Sequence, residues 1–491
     1  MDIHRSFKGT LVIDQTDIMT RDRCRQFLEE NTFRLRSPDY KKIYPKWPGT
    51  VGLEIEMLPI FRPSKSEDEA PRRVPLHRGE NASSPIIRQL AKEKGWKIAE
   101  TEDDHGEKML LQVFMDEGGN ISFEPGGQIE FSSAPYPCLS EAVCRMRNVQ
   151  ELLDKTLGQH GIELVQVGIN PWHKVPDIGL QMAKARYRAM NEYYERISEF
   201  GQRMMRQSCT IQVNLDFGPD GDTLARRYLA SQLLAPMMAG SFAFSGVVDG
   251  AQSDALGLRS RIWRHTDPTH TGLVGLDKIA AAPNRQTCID TYLEFVMAGK
   301  VVFVTSADYK VPPKDFSFND WMERGYNGKK PTLDDFMVHL SLMFTEVRPR
   351  GFLEVRSIDC QSRIFQSVPS SFVTGILYND DALNKVLNLL LPARIDIPKM
   401  LIESQFGLQS PQLAGLSQKV MEIALAGFSG LPDCFKGENA EKEFAAFYRL
   451  FTSAGRTPAD DVRDRIRSDG TKGLRYGSLK QLEERWAGEV S

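Results

Sequence analysis

The sequence predicts an α+β fold, and two observations carry that expectation. Four short stretches alternate apolar residues with acids or amides, which is the period of a strand whose two faces differ. Beyond about residue 365 such stretches cease, and every later segment has helical periodicity. A sheet-containing body over residues 1–370, followed by a helical region over 371–491, is therefore expected.

The elements follow in order. A helix is expected around Thr20–Asn31, then a strand at Val51–Met57. Residues 61–84 carry proline and mixed charge without periodicity and read as a loop. A helix from Pro85 to Gly95 would take Ser84 as N-cap and Pro85 at its first position. Strand signals cluster at 109–115 and 119–132, and Ser140 to Gly158 places Val143, Met146, Val149, Leu152, Leu153 and Leu157 at helical spacing. Next come a strand at Ile162–Ile169, a helix at 179–201, a strand at 208–217 and a long apolar helix at 222–239. Residues 249–287 read as loop, 333–344 as helix and 352–358 as the last strand. Helices are expected at 382–392, 411–427, 438–453, 457–468 and 477–487.

The four alternating stretches are Val51–Met57, Gly127–Ser132, Cys209–Phe217 and Phe352–Ser357. Strand geometry puts Glu54 with Glu56, Gln128 with Glu130, Gln212 with Asn214 and Asp216, and Glu354 with Arg356 on common faces. A wet sheet face alternates in this way without any function. Such a face usually carries lysine as well, and like charges placed opposite one another are destabilising. A wall of acids and amides instead suits oxygen-seeking divalent cations. Gly126 and Gly127 add to this, since glycine inside a strand pattern marks a bulge or a close backbone approach to a ligand.

Composition narrows the function classes. A net charge of −3 gives no electrostatic footprint for nucleic acid or an anionic membrane. The polar start has no apolar core of a secretory signal, and Leu233–Val248 is too short and interrupted to span a bilayer. Seven scattered cysteines without CxxC fit reduced thiols and a cytoplasmic setting. Phosphate-loop, dinucleotide-fold, HExxH and GxSxG motifs are all missing. Carboxylates on strands with arginines nearby remain, an inventory suited to a nucleotide held through magnesium, with arginine stabilising phosphoryl charge.

Gly52-Leu-Glu-Ile-Glu56, Gly126-Gly-Gln-Ile-Glu-Phe-Ser-Ser-Ala-Pro135, Thr210-Ile-Gln-Val-Asn-Leu-Asp216, Leu258-Arg-Ser-Arg-Ile-Trp263 with Thr266-Asp267, and Glu346-Val-Arg-Pro-Arg-Gly-Phe-Leu-Glu-Val-Arg-Ser357 resemble, in order, the motifs of plant-type glutamate–cysteine ligases. The resemblance covers roughly residues 45–400. It implies a glutamine-synthetase-like curved antiparallel sheet binding ATP and two or three Mg2+ ions, with Mn2+ as a substitute. It implies ligation of glutamate to cysteine through a γ-glutamyl phosphate, by a monomer or homodimer.

By position, the resemblance makes Glu54, Glu56, Glu124, Glu130 and Glu354 metal-binding acids, and Gln212 a further metal or nucleotide ligand. Arg356 and Arg259 fall where arginines serve the phosphoryl group or the glutamate. Gln128, Asn214 and Arg261 are candidates for substrate binding. His270 stands where many relatives carry an arginine, with Arg261 and Arg264 as stand-ins. Three alternatives remain at this stage: a sister ligase with another amine acceptor, a non-catalytic binding protein on the same sheet, and a guanidino phosphotransferase.

Overall fold

The computed structural model describes residues 17–62, 69–102, 106–182, 184–437 and 439–490. The expected loop at 61–84 therefore lies partly outside the described residues. Thr20 accepts from the Arg23 amide and caps the helix Arg21–Phe27, which continues as a wider π turn over Leu28–Thr32.

One ten-stranded sheet organises the molecule. Its strands are β1 (Val51–Phe61), β2 (Arg72–Arg73), β3 (Lys97–Glu102), β4 (Lys108–Phe114) and β5 (Asn120–Phe123). The chain then adds β6 (Ile129–Ser132), β7 (Ile162–Val165), β8 (Ile211–Leu215), β9 (Val347–Pro349) and β10 (Leu353–Val355). Their order is β9-β10-β8-β1-β6-β5-β4-β3, and every pairing is antiparallel. β1 is long enough to change partners: Val51–Met57 pairs with β8 and β6, while Leu58–Phe61 pairs with β7 and β2. Odd-numbered residues of the central strands, Leu53, Ile55, Val213, Leu215, Phe131 and Val355, are buried in the main core. The helix Leu139–Gly158 packs on β1 and buries Val143, Met146, Val149, Leu153 and Leu157 of the expected stripe, with Leu152 half-buried.

The α+β expectation is met: among the described residues the last strand ends at Val355 and helices follow to Val490. The helix Gly221–Ser241 is buried along almost its whole length and packs against the later helices Ile397–Glu403 and Pro411–Ser429. Val368–Leu377 crosses Pro411–Ser429 where two glycines meet, and a Cβ at Gly427 would lie 2.1 Å from the Gly375 carbonyl oxygen. Only glycine permits that approach.

Several elements differ from expectation. The helix expected from Pro85 begins at Ser83 instead, so Ser84 lies inside it and its Oγ sits 2.9 Å from His77 Nδ1. The strand at 119–132 is two strands with a turn between them. The helix at 179–201 is two helices, Ala185–Ile197 and Glu199–Gln207, with Ser198 extended and capping the second. Residues 249–287 hold the helices Leu258–Thr266 and Leu276–Ala281 rather than plain loop. Lys97–Glu102, too polar to signal a strand, pairs with β4 at the sheet's end.

Candidate active site

The even-numbered residues of the sheet form three rows on its second face. Arg348 stands opposite Glu354, Glu354 opposite Asn214, and Asn214 opposite Gly52. Gln212 faces Glu54, Glu54 faces Ser132 and Ser132 faces Asn120. Glu56 faces Glu130, Glu130 faces Ser122 and Ser122 faces Gln112. One cavity covers the middle of this face, lined by Glu54, Glu56, Glu124, Gln128, Glu130, Gln212 and Arg356 together with residues from the helices above.

The turn between β5 and β6 brings in Glu124. Its amide donates to the Gln128 carbonyl at 2.9 Å, and Gly127 closes the turn at a φ of +89°. Gly126 is equally constrained, because a Cβ there would sit 2.2 Å from the Arg206 carbonyl oxygen. Carboxylate oxygens of Glu56, Glu124 and Glu130 all lie within 4.8 Å of one another. Glu130 accepts from the Ser122 and Ser132 hydroxyls at 2.9 and 3.1 Å, and Glu56 accepts from the Thr210 amide at 2.9 Å. Glu54 accepts from Asn214 Nδ2 at 2.9 Å.

Burial raises the proton affinity of all four acids. It pushes Glu54 up to about 7, helped by the Glu354 and Glu130 charges. Glu56 lies well above the usual carboxylate range through burial and then the charges of Glu124 and Glu130. Glu124 and Glu130 are raised as well, with burial the leading cause. Closely spaced acids that resist ionisation are a donor set that a divalent cation relieves, and all-oxygen ligands suit Mg2+ or Mn2+. The residues fit such an ion.

Glu354 is placed differently. Its Oε1 accepts from Arg348 at 3.0 Å and Arg350 at 2.8 Å, and its Oε2 accepts from Arg348 and from Arg356 at 3.1 Å. Those four bonds occupy the lone-pair sites of the carboxylate. Burial opposes ionisation here too, but the three guanidinium groups override it and hold the carboxyl far below its usual range. In this arrangement Glu354 is the shared counter-ion of an arginine cluster, and the expected metal ligand has its oxygens already taken.

Arg356 donates to Gln212 Oε1 at 2.8 Å and lies 5.3 Å from the Trp263 ring centre. Burial, then Arg348, lowers its proton affinity. Arg259 lies behind it: it donates to the Arg356 carbonyl at 3.1 Å and faces Asp359 at 3.8 Å. Gln128 reaches the cavity wall with Oε1 buried and unpartnered, while its Nε2 donates to the Ser208 carbonyl at 2.9 Å.

Arg261, Arg264, Asp216, His270 and Asn214, all singled out from the sequence, do not line the cavity; Asn214 is taken up by Glu54. Arg261 turns outward into a two-pronged pair with Asp254 at 2.9 Å. Arg264 donates to the Leu401 carbonyl at 2.7 Å. Asp216 lies beyond the end of β8, where it accepts from the Thr50 amide at 2.7 Å and pairs with Arg36 and Arg227. His270 is fully buried against the Lys300 carbonyl at 2.7 Å, so it offers no substitute for an arginine.

The cavity also holds cations that the sequence reading did not assign: Arg348 and Arg350 from the β9–β10 hairpin, and Lys184 and Arg186 from the helix above the sheet. The hairpin arginines were legible in principle, since Arg348-Pro-Arg350 precedes Glu354 across a tight turn.

A family model described as glutamate–cysteine ligase family 2 matches residues 89–490. The chain belongs to that family. A chloroplastic glutamate–cysteine ligase of Medicago truncatula is 29% identical over 355 residues, 70% of this chain and 67% of that protein. The enzyme of Nicotiana tabacum is 30% identical over 318 residues, and the match spans 63% of this chain and 59% of the relative. The fold is shared with a glutamate–cysteine ligase of Francisella tularensis solved in complex with AMP, at a TM-score of 0.50 and 11% identity, covering 91% of this chain and 90% of that one. For a member of family 2, the chain thus keeps the acids of the sheet and the arginines of the hairpin in one cavity. Among the described residues no helix is long and apolar enough to cross a membrane.

Proposed function

We propose that this member of glutamate–cysteine ligase family 2 joins the γ-carboxylate of L-glutamate to the amine of L-cysteine, using ATP and giving γ-glutamylcysteine, ADP and phosphate. The observation that carries the reading is the juxtaposition, in one cavity, of an acid set that makes no ion pair among the described residues and a set of buried arginines. Glu56, Glu124 and Glu130, with Glu54 beside them, would hold Mg2+, which when bound screens the phosphate charges and orients the γ-phosphoryl group.

The chain's own residues do the rest. Arg356, fixed between Gln212 and Glu354, presents positive charge where the phosphoryl group transfers. Arg348 and Arg350 share Glu354 and extend that positive field towards the cavity. Arg259 acts through Arg356 by holding its backbone and stacking under the same tryptophan. A glutamate γ-carboxylate oxygen attacks the γ-phosphorus, ADP leaves, and the resulting acyl phosphate is attacked at its carbonyl carbon by the acceptor amine, with loss of phosphate. Walls of Tyr187, Met190, Leu340 and Phe344 exclude water from that intermediate.

We further assign residues 1–370 to the catalytic body and 371–491 to a helical region packed on it. All seven cysteines are free, which supports a reducing compartment such as the cytoplasm, although the plant relatives are chloroplastic. The test is an acceptor screen: purified protein with ATP, Mg2+, glutamate and single amino acids. Cysteine-dependent phosphate release with γ-glutamylcysteine as product is expected. Robust turnover with another amine but not cysteine would contradict the acceptor assignment and favour a sister ligase.

A further inference from the structure

The geometry points to Lys184 as the general base of the ligation, the group that takes a proton from the acceptor's ammonium so that its nitrogen can attack. This rests on the ligase reading above and adds a catalytic residue to it. The chemistry requires such a group, because an amino acid enters as R–NH3+, which has no lone pair to offer.

Five cationic side chains line the cavity: Lys184, Arg186, Arg348, Arg350 and Arg356. Four are engaged, three with Glu354 and Arg186 with the Ser341 hydroxyl at 3.1 Å. Among the described residues, the Lys184 ammonium has neither a hydrogen bond nor an ion pair. Its backbone, by contrast, is fixed: Lys184 caps the helix Ala185–Ile197, and its carbonyl accepts from the Arg188 amide at 2.9 Å. The side chain is thus held at the cavity from a rigid start with its nitrogen uncommitted.

Arginine does not deprotonate in proteins, and no histidine lines this cavity among the described residues. Lys184 is the one cavity-lining nitrogen that can exchange a proton. Burial, then the neighbouring Arg186 charge, brings its amine down to about 8, within reach of a neutral form at working pH. The other titratable or charged groups facing the cavity are the glutamates of β1, β6 and the β5–β6 turn, the hairpin arginines, Arg356, and Tyr187, whose hydroxyl burial pushes up to about 12. The glutamates form the cation-binding set, so they are committed elsewhere.

The proton count closes. Neutral Lys184 takes one proton from R–NH3+. The freed nitrogen lone pair forms the C–N bond at the acyl-phosphate carbonyl, and the C–O bond to phosphate breaks with its electron pair on the leaving oxygen. The second proton lost from nitrogen goes to that phosphate, leaving one N–H on the amide. Lys184 returns its proton to solvent as products depart.

The test uses the full chain with ATP, Mg2+ and glutamate, and two acceptors: cysteine, protonated at neutral pH, and hydroxylamine, which is not. Lys184→Met should lower kcat with cysteine by about 10²–10⁴-fold, while hydroxamate formation falls by less than about 10-fold. Lys184→Arg keeps the charge but cannot serve as a base, so it should show the same split. Equal loss with both acceptors, or recovery of cysteine turnover in Lys184→Arg with only a raised KM in Lys184→Met, would instead make Lys184 an anion-binding residue and overturn the proposal. Thermal shift with MgATP checks that Lys184→Met is folded, and Lys184→Arg decides if it is not. A parent that turns over while Lys184→Met matches it sinks this inference alone. A parent that makes neither product sinks the ligase reading and this proposal with it.

Discussion

The two ends of the sheet's polar face carry buried carboxylates in opposite states. At one end, Glu54, Glu56, Glu124 and Glu130 crowd together and burial raises all four. At the other, Glu354 is fully buried yet held far below its usual range by Arg348, Arg350 and Arg356. The same residue type on the same sheet face thus does two jobs, and the neighbours decide which. The first end has negative charge to offer a cation. The second has spent its negative charge on arranging three cations, which leaves a net positive wall for an anion. Between them lies the cavity.

The largest expected effect comes from breaking the compensated end. Glu354→Ala strands three buried guanidinium groups and should cost about 3–5 kcal/mol of stability, read from a denaturant midpoint, with turnover lost as well. Removing a charge from the other end should act in the opposite direction. Glu54→Gln should stabilise the metal-free protein at pH 8 by up to about 3 kcal/mol, the free energy of moving a carboxyl from 4.5 to about 7. The same variant should bind Mg2+ more weakly, and both outcomes can be read from melting curves with and without the ion.

A pH series sharpens the contrast. A carboxylate whose folded value is raised binds more protons folded than unfolded, so its contribution to stability falls as pH rises. In chelator, stability should therefore decline from about pH 4.5 to about pH 7, the window set by Glu54. Glu354, depressed in the fold, works the other way, and its contribution is lost only as pH falls below about 4.5. Excess Mg2+ should flatten the upper decline and leave the acid limb unchanged. The smallest effect is expected at Arg261, whose partner Asp254 is exposed: Arg261→Ala should change stability by about 0–1 kcal/mol and leave the KM for each substrate unaltered.

Much of the crowded-acid end was legible in the sequence, because strand alternation reports faces directly. Glu54, Glu56, Glu130, Gln212 and Arg356 fall on one face as expected, while the glycines meet protein: Gly126 packs on the Arg206 carbonyl and Gly127 on the Gln181 side chain. What alternation cannot report is who stands opposite. Glu354 looked like its fellow acids until the hairpin register set Arg348 across from it and brought Arg350 to its Oε1 and Arg356 to its Oε2. Asp216 obeyed the alternation but lay one residue beyond the strand, so it became a buried anchor for Arg36 and Arg227. The arginine-rich stretch at 258–266 read as loop because its charges mask the helix, and only the fold shows Arg259 turned inward and Arg261 outward. Lys184 gave no signal at all, since its role depends on having no partner.

The central claim, that one end of this face is built for a cation and the other is not, is tested most directly by melting the parent and Glu56→Gln at pH 8 in chelator and in excess Mg2+. The parent should melt higher with Mg2+, whereas Glu56→Gln should melt higher than the parent in chelator and gain little from the ion. A parent indifferent to Mg2+, together with a Glu56→Gln variant that melts lower in chelator, would contradict it.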